Sequence, residues 1–417
     1  GYGFFSENSS FIESVEKNGI TFIGPSSKSV KMMGSKTAAR TLMSKNNVPV
    51  VPGTLEAIKN VEEGIKFSEK IGFPVLLKAS AGGGGKGMRK VISKEEFKSA
   101  FESTKREALK SFANDEVYIE KFIENPKHIE VQIIADKHGN YRHLFERECS
   151  IQRRHQKIIE EAPSSFVDED TRNKITMAAI QAAKACGYFN AGTIEFLMDS
   201  NKEFYFLEMN TRIQVEHPVT ELISGIDLVR EQISIAAGNK ISFEQKDIKI
   251  NGYAIECRIY AEDPDNNFLP STGKILHYKE PNGIGIRVDS GFAEDSEISI
   301  HYDPMIAKLI CWDRDRNKTV QRMNRALNEF QIAGITTNIK FLNYILNTDK
   351  FSKGEYDINF IDNLNYTSLL ADNLAQSKDE HETAASILAA LIKSKKLSGQ
   401  IVNSSVKNNN WWEQNYE

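Results

Sequence analysis

The sequence predicts an α/β (α+β) protein, and three observations lead to that prediction. Helical patterns cover residues 94–111 and 168–187. A short apolar run at 75–79 is followed by glycines, as expected of a buried strand. Residues 128–134 and 141–147 alternate apolar and polar side chains on either side of an Asp-Lys-His-Gly-Asn turn. Helices and strands therefore alternate along the chain.

Length and composition exclude several classes of protein. The chain has 417 residues, of which 40% are hydrophobic and 26% charged, enough for roughly two to four globular domains. Its net charge of −4 argues against a basic surface for nucleic acid over the whole chain. No run approaches the ~20 apolar residues of a membrane span. The four cysteines are far apart and form no CxxC pair, which is typical of reduced thiols in an intracellular protein.

The first third of the chain is predicted to contain both helices and strands. A helix around 11–15 ends near Gly19, and 20–25 is predicted to be a short buried strand. The remaining elements predicted here are helices at 35–46, 60–71 and 94–111, and strands at 75–79, 89–92 and 117–123.

The rest of the chain continues the alternation. The predicted elements are strands at 128–134, 141–147, 191–198 and 203–209, and helices at 168–187, 217–237 and 317–330. From 252 onward, strands mix with Gly/Pro turns. Residues 359–417 are polar, with one amphipathic helix predicted at 384–392.

A glycine-rich loop at 82–87 can bind phosphate, because glycines let backbone N–H groups approach an anion and Lys86 adds a charge. It is not a P-loop, since Gly87 follows Lys86 where Ser or Thr is required. A dinucleotide-binding loop would need a helix next, and a strand follows. The sequence therefore predicts a flexible strand–loop–strand lid over phosphates, the alternative being the tip of an ordinary hairpin.

Two carboxylates are predicted to face each other on the hairpin formed by 191–198 and 203–209. With a two-residue turn between these strands, Glu195 lies opposite Glu208, and the two-residue period places Asn210 on the same face. Opposed carboxylates repel one another. A hard cation such as Mg²⁺, which takes oxygen ligands, would relieve that repulsion. The alternative is a solvated face with looser turn geometry.

Residues 208–218 follow the hairpin and are dense in polar groups. Arg212 can bind a small oxyanion through two hydrogen bonds, and Glu216 has the chemistry of a general base. Backbone N–H groups around 214–215, just before a helix, add capacity for an anion. A second, basic segment at 150–157 suits ATP or a carbonate-like anion, and is too short for a nucleic-acid surface.

The glycine-rich loop, the basic segment, the carboxylate hairpin and the polar segment after it follow one another along the chain. Together they resemble the ATP-grasp biotin carboxylases. The similarity runs from residue 1 to about 360. The strings Glu-Met-Asn-Thr-Arg-Ile-Gln-Val-Glu-His at 208–217 and Gln-Arg-Arg-His-Gln-Lys at 152–157 are specific to this family. Other ATP-grasp ligases share the fold but not those strings.

The resemblance implies an ATP-grasp fold with a glycine-rich lid subdomain, a remnant of an N-terminal Rossmann-like domain and a C-terminal biotin carboxylase domain. The implied boundaries are 1–34 for the remnant, 35–240 for the ATP-grasp domain with its lid at about 53–122, 250–360 for the C-terminal domain, and 361–417 for a linker or the start of a further domain. The chain would then enter its N-terminal domain near the end of that domain.

The resemblance also implies roles for individual residues. ATP would be bound by Lys36, Lys78, Gly84, Gly85, Glu120, Lys121, Ile123, His128, Gln152, His155, Glu195 and Glu208. Metal ions would be held by Glu195, Glu208 and Asn210. Bicarbonate would be held by Lys157, Arg212, Gln214 and Val215. Biotin would be bound by Tyr2 and Arg287. The catalytic residues would be Glu216, Arg212, Lys157 and Arg287, with Glu216 deprotonating bicarbonate and Arg287 stabilising the enolate of biotin.

The implied activity is the ATP- and bicarbonate-dependent carboxylation of biotin through carboxyphosphate, the first half-reaction of an acyl-CoA carboxylase. It would require ATP, Mg²⁺ or Mn²⁺, and biotin on a carrier. The implied partners are a biotin carboxyl carrier domain, a second copy of the chain and a carboxyltransferase subunit, without nucleic acid or membrane. The implied location is the cytoplasm, or the mitochondrial matrix in a eukaryote. Two alternatives stay open: another ATP-grasp ligase of the carbamoyl-phosphate type, and a nucleotide-binding scaffold without activity.

Overall fold

The computed structural model describes residues 1–54, 56–79, 88–112, 114–364, 366 and 387. The chain forms two compact units, Gly1–Asn363 and Leu364–Glu417, and the first carries the elements discussed below. The glycine loop at 82–87, with Gly84 and Gly85, lies outside the described residues. So does the helix predicted at 384–392, apart from the exposed Ile387.

Three short helices open the chain: α1 (Ser9–Lys17), α2 (Ser27–Met33) and α3 (Lys36–Lys45). The helices predicted near 11–15 and 35–46 are thereby confirmed, whereas α2 was not predicted. The strand predicted at 20–25 is wrong, because this segment is irregular. No described strand lies beside it, and without one its backbone groups cannot form a ladder.

A small antiparallel sheet follows, with two helices packed against it. Its elements are α4 (Val61–Ile71), β1 (Val75–Ala79), β2 (Met88–Val91), α5 (Lys94–Phe112) and β3 (Val117–Lys121). The strands lie in the order β2-β1-β3. Val75, Leu77, Phe97 and Ile119 form part of its apolar core. The strands predicted on either side of the glycine loop are confirmed as an antiparallel pair.

The central elements of the chain build most of a large antiparallel sheet. They are β4 (Lys127–Ala135), β5 (Tyr141–Arg153), β6 (Gln156–Ala162), α6 (Glu169–Ala185), β7 (Asn190–Met198), β8 (Phe204–Asn210), α7 (His217–Ser224), α8 (Leu228–Ala236) and β9 (Tyr253–Tyr260). Within the described residues, these strands pair with β14 (Ile286–Ser290) and β16 (Met305–Asp313) to give eight strands in the order β14-β16-β9-β6-β5-β4-β7-β8. The helix predicted at 217–237 is two helices, because α7 ends at Gly225, whose φ of 72° is left-handed.

The remaining strands and helices complete the first unit. They are β10 (Glu262–Asp263), β11 (Leu269–Pro270), β12 (Gly273–Lys274), β13 (His277–Lys279), β14 (Ile286–Ser290), β15 (Glu297–Ile298), β16 (Met305–Asp313), α9 (Arg316–Glu329), β17 (Gln331–Ala333), α10 (Ile339–Leu346) and α11 (Asp349–Lys353). In the part of the chain that is described, no helix combines the length and apolar character needed to cross a membrane.

The two faces of the large sheet differ in chemistry, and this difference positions the site. Every residue of β4 is buried. Its odd-numbered residues, Ile129, Val131 and Ile133, join the apolar core that contains residues of α6. Because side chains alternate along a strand, Glu130 and Gln132 project from the opposite face, towards the side that α7 covers. A buried polar layer therefore lies between the sheet and α7.

Candidate active site

The hairpin β7–β8 brings the predicted carboxylates together. Glu195 and Glu208 are direct cross-strand partners, and Asn210 donates from Nδ2 to Glu195 Oε1 at 2.9 Å. The predicted pairing is confirmed, but the predicted two-residue turn is wrong. The loop runs from Asp199 to Glu203, and a register shift just after Glu195 restores the expected partners.

Lys157 is the centre of a buried ionic cluster. It lies at the start of β6, and its ammonium contacts three carboxylates: Glu130 at 2.5 Å, Glu216 at 2.6 Å and Glu195 at 2.9 Å. Burial disfavours the charged lysine, yet the three carboxylates outweigh burial and raise the pKa of Lys157 well above its usual value. The residue is therefore a permanent cation at the meeting point of β4, β6, β7 and the start of α7.

Glu216, the predicted base, is held between two cations. It directly precedes α7, and its Oε2 accepts from Arg258 Nη2 at 3.0 Å while Oε1 accepts from Lys157. Burial pushes the pKa of Glu216 upward, but Lys157 and Arg258 together hold that pKa well below its ordinary value. Glu216 is ionised in this arrangement and can accept a proton only after a cation moves away from it.

Several charged residues that position this cluster were not predicted as site residues. Arg258, on β9, also donates from Nε to Glu160 at 2.6 Å. Arg147, on β5, is fully buried and donates to Glu130, to Gln132 at 2.7 Å and to Gln214 at 2.9 Å. Its guanidinium links β4 to the residues that precede α7, so it fixes the partners of Lys157.

Sequence reasoning missed these residues because each lies within a strand and not in a motif. The available signal was a charged residue inside an otherwise apolar run, as in Ala-Ile-Glu-Cys-Arg-Ile-Tyr at 254–260. Charges are rarely buried unless they are paired, so such a pattern indicates a partner on another strand. The strand β6 was also missed, since 150–157 was interpreted only as a basic segment. It forms a tight hairpin with β5 in which Arg154 and His155 both have positive φ.

His128 and Gln152, both predicted to line the nucleotide site, lie beside Glu195. His128 Nε2 is 3.0 Å from Glu195 Oε2, and Gln152 Nε2 is 2.8 Å from His128 Nδ1. His128, Glu130 and Glu195 are close enough together to bind a metal. Glu130 is already paired with both Arg147 and Lys157, so its charge is compensated without a metal.

The carboxylate hairpin fits a divalent cation better. Glu208 has a side chain that is 43% exposed, and its nearest described cation is Lys36 at 3.9 Å. Burial, and then the negative charge of Glu195, raise the pKa of Glu208. Two carboxylates and an amide oxygen are hard oxygen donors of the kind that Mg²⁺ takes. Glu195, Glu208 and Asn210 therefore match the chemistry of the predicted metal site.

Arg212 is close to the hairpin but is already bound. It donates from Nη2 to Asn210 Oδ1 at 3.0 Å and from Nε to Glu7 Oε2 at 3.1 Å. Glu7 also accepts from the backbone N–H of Thr211 at 2.9 Å, and it was not predicted. Glu7, Lys36, Glu208 and Asn210 line one cavity. An anion that binds Arg212 would have to compete with Glu7.

A second group of predicted residues lies on the small sheet. Glu120 accepts from Arg40 Nη1 at 3.0 Å and pairs with Lys78. Lys121 Nζ donates to the carbonyl oxygens of Gly72 at 2.8 Å and Phe73 at 3.1 Å. Ile123 follows β3 and is half-buried. These residues form a group separate from the Lys157 cluster.

The other predicted residues are placed as follows. Gln214 donates to Glu195 at 2.8 Å, and the carbonyl of Val215 accepts from Lys308 at 2.8 Å. Arg287 donates to Glu221 and to Asp289, each at 2.7 Å, and no described contact joins it to Lys157 or Glu216. Two more predicted residues are exposed: Tyr2 and His155.

Three family models match the chain. Residues 35–244 match the carbamoyl-phosphate synthase L chain, ATP binding domain. Residues 256–363 match the biotin carboxylase C-terminal domain, and residues 1–30 match the biotin carboxylase N-terminal domain. The ATP-binding model spans half of the chain.

Curated relatives and solved structures agree with these models. A pyruvate carboxylase subunit of Methanothermobacter thermautotrophicus is 48% identical over 95% of this chain and 81% of its own length. Biotin carboxylase 2 of Bacillus subtilis is 51% identical over 87% of this chain and 81% of its own length. The biotin carboxylase domain dimer of the Hydrogenobacter thermophilus 2-oxoglutarate carboxylase, in complex with MgADP, ADP and bicarbonate, has a TM-score of 0.80 at 47% identity. That comparison covers 87% of this chain and 80% of the solved one.

Proposed function

The chain belongs to the biotin carboxylase family, and from that premise we propose that its Lys157–Glu216 cluster is the catalytic centre. The fold is the ATP-grasp fold of this family, and the activity is ATP- and bicarbonate-dependent carboxylation of biotin, with Mg²⁺ as the metal. Residues 35–244 match an ATP-binding domain named for carbamoyl-phosphate synthase, but residues 256–363 match the biotin carboxylase C-terminal domain, which argues against the carbamoyl-phosphate alternative.

The contacts of Lys157 support this proposal most directly. The ammonium that now binds Glu216 at 2.6 Å is a binding site for an anion of the size of bicarbonate. When bicarbonate binds Lys157, Glu216 loses a cation and gains a negative neighbour, and both changes raise its pKa. Glu216 then becomes a stronger base beside the proton that it removes. The cluster thus couples substrate binding to activation of the base.

We propose that the residues predicted to bind ATP bring its phosphates to this centre. Lys36 and Lys78 would pair with phosphate oxygens of ATP, with Glu120 and Lys121 at the adenine edge. Glu195, Glu208 and Asn210 would hold Mg²⁺, which neutralises charge on the transferring phosphoryl group when it is bound. Arg212 and Gln214 would orient the bicarbonate that Glu216 deprotonates. The deprotonated bicarbonate attacks the γ-phosphate, whose bond to ADP breaks, so that carboxyphosphate forms and ADP leaves. Carboxyphosphate then breaks down to CO₂ and phosphate; the phosphate takes the proton from the biotin ureido nitrogen, and that nitrogen bonds to CO₂.

Two arginines are candidates for stabilising the biotin enolate. The resemblance assigns this role to Arg287, with Tyr2 near the biotin pocket. Arg258 is the guanidinium in direct contact with Glu216, at 3.0 Å. We propose that Arg258 also faces the reacting groups, because a rigid cation close to a developing oxyanion stabilises it most.

Partners and location extend the proposal beyond the chain. The relatives are subunits or domains of larger carboxylases. As partners we propose a biotin carboxyl carrier domain, a second copy of the chain and a carboxyltransferase subunit. The four cysteines are free and buried, in keeping with the proposed cytoplasmic location, or the mitochondrial matrix in a eukaryote. The proposed domains remain 1–34, 35–240, 250–360 and 361–417.

ADP release, measured with and without bicarbonate and free biotin, tests the activity. We expect turnover that needs bicarbonate and rises with biotin. ATP turnover that does not depend on biotin would favour another ligase, and binding of ATP without turnover would favour a scaffold.

Lys157→Gln should raise the KM for bicarbonate at least about tenfold. Lys279→Gln, at an exposed position on β13, should leave this KM unchanged.

A further inference from the structure

Two acidic side chains beside the Lys157 cluster have no role in the mechanism above. Glu160 on β6 and Glu256 on β9 are direct partners in antiparallel register, and neither has any exposed surface. Residues directly opposite one another in such a pair have Cβ atoms about 4.5–5.5 Å apart. The fold therefore places two carboxylates side by side inside the sheet.

Most of the oxygens of this pair lack a donor. Both oxygens of Glu256 and Oε2 of Glu160 have no hydrogen-bond partner among the described residues. Only Glu160 Oε1 is bound, by Arg258. An ionised carboxylate can only accept hydrogen bonds, whereas a protonated one can also donate. One proton held between the two groups would supply a donor and remove one buried charge.

The groups that face the pair come from every neighbouring element. They are Cys149 on β5, Lys157 on β6, Arg258 and Tyr260 on β9, Lys308 on β16 and Glu216 at the start of α7, while Cys257 lies on the opposite face of β9. Burial raises the pKa of Glu256 well above its usual range and that of Glu160 to about 7, despite the opposing effect of Arg258 and the two lysines. The surroundings therefore favour a neutral acid at one of the two positions.

We propose that Glu160 and Glu256 share one proton and that this acid pair positions Arg258 against Glu216. Glu160 Oε1 accepts from Arg258 Nε at 2.6 Å, and the same guanidinium reaches Glu216 Oε2 at 3.0 Å. With one proton shared, Arg258 is anchored by a single negative charge and keeps an N–H for Glu216. With both carboxylates ionised, the pair would draw Arg258 away from Glu216. The kinetic part of this inference rests on the proposed role of Glu216.

Infrared spectroscopy of the whole chain tests the shared proton without any turnover. At pH 6, the wild-type-minus-Glu256→Gln difference spectrum should contain the C=O band of a protonated carboxylic acid. The same subtraction with Glu297→Gln, at an exposed position on β15, should contain none. A Glu256→Gln difference spectrum without an acid band would overturn the shared proton. If Glu256→Gln does not fold, the apolar Glu256→Met, of similar size, serves for the same subtraction with the same expected band.

Steady-state kinetics test the positioning of Arg258. Glu160→Gln removes the charge that anchors this arginine, so kcat for biotin carboxylation should fall about 10- to 100-fold. The KM for ATP should change less than about twofold, and Glu160→Asp should restore part of kcat. Unchanged kcat, or an equal loss in ATP affinity, would overturn the positioning role. A wild-type chain that never carboxylates biotin would count against the proposed function alone, because the infrared band does not depend on turnover.

Discussion

At the scale of single residues, the site depends on how a few buried charges are shared. Lys157 binds three carboxylates, and Arg258 binds Glu160 and Glu216. Removing one partner from a buried ion pair costs more than the pair contributes, because it leaves an uncompensated charge. Substitutions in this cluster should therefore affect both stability and catalysis, and their kinetics must be measured on variants shown to fold.

Arg258 and Arg287 can be separated by matched substitutions. Arg258→Gln should lower the free energy of unfolding by about 3–5 kcal/mol, because Glu160 and Glu216 lose the cation that lies between them. The same substitution should lower kcat at least about 100-fold. Arg287 has a side chain that is 34% exposed, so Arg287→Gln should cost about 1 kcal/mol or less. Denaturant titration and initial rates measure both effects. A larger loss of kcat in Arg287→Gln would contradict the role given to Arg258.

The residues of the site differ in how far sequence predicts them. The pairing of Glu195 with Glu208 and the position of Asn210 follow from the two-residue period of neighbouring strands. Glu160 and Arg258 lie on strands that are distant in sequence, and nothing local indicates that these strands pair. Glu7 was missed for the same reason, since it reaches Arg212 across 205 positions of the chain.

At the scale of elements, Gly53 joins the small sheet to the segment before it. A Cβ at this position would overlap the carbonyl oxygen of Ile119 and lie 2.7 Å from Arg40 Nη2. Gly53→Ala should therefore displace β3 and weaken the contact between Arg40 and Glu120. We expect a loss of about 1–3 kcal/mol in stability and a raised KM for ATP.

Gly291→Ala provides the control for that substitution. Its Cβ would meet the nearest atom, Ile306 O, at an ordinary 3.6 Å, so both stability and KM should stay close to those of the wild type. Thermal unfolding and ATP titration of the two variants measure the difference. Equal behaviour of the two alanine variants would show that the close approach at Gly53 is unimportant.

Elements with strong local patterns were predicted best. The strands flanking the glycine loop and the helix α5 agree with their predicted ranges within a few residues. The predicted elements are wrong where the local sequence pattern favours a strand or a helix that the tertiary structure does not form. Residues 20–25 have a strand-like composition but no described partner, and the break between α7 and α8 depends on the left-handed Gly225, a glycine that the apolar periodicity of 217–237 hides.

At the scale of the whole molecule, the partly buried His143 makes stability depend on pH. Burial lowers the pKa of His143 from 6.5 to about 4. The unfolded chain therefore takes up a proton below about pH 6.5 that the folded chain does not, and stability falls between pH 6.5 and 4 by up to about 3 kcal/mol. Above pH 6.5 both states are neutral at this position, and the effect is absent.

His143→Gln should remove this part of the pH dependence, whereas His301→Gln, at an exposed position, should keep it. Urea unfolding at several pH values between 4 and 8 measures the difference. Parallel curves for the wild type and His143→Gln would show that burial does not shift this histidine.

The fold class followed from the alternation of helices and strands, but the order of strands in the large sheet did not. That order brings β9 next to β6, although α6, β7, β8, α7 and α8 intervene in sequence. The buried polar layer exists only because of this arrangement, since β4, β5, β6 and β9 lie side by side in the sheet and α7 covers their charged face. Local periodicity shows which side chains share a face, but not which strands become neighbours.

The central claim is that Glu216 acts as the base and takes no part in binding ATP. The most direct test compares Glu216→Gln with the wild type in bicarbonate-dependent ADP release with biotin, and measures ATP affinity by titration. We expect kcat to fall by about 10²–10⁴-fold, while the Kd for ATP changes less than about twofold. A collapse of ATP affinity, or turnover close to that of the wild type, would contradict the account.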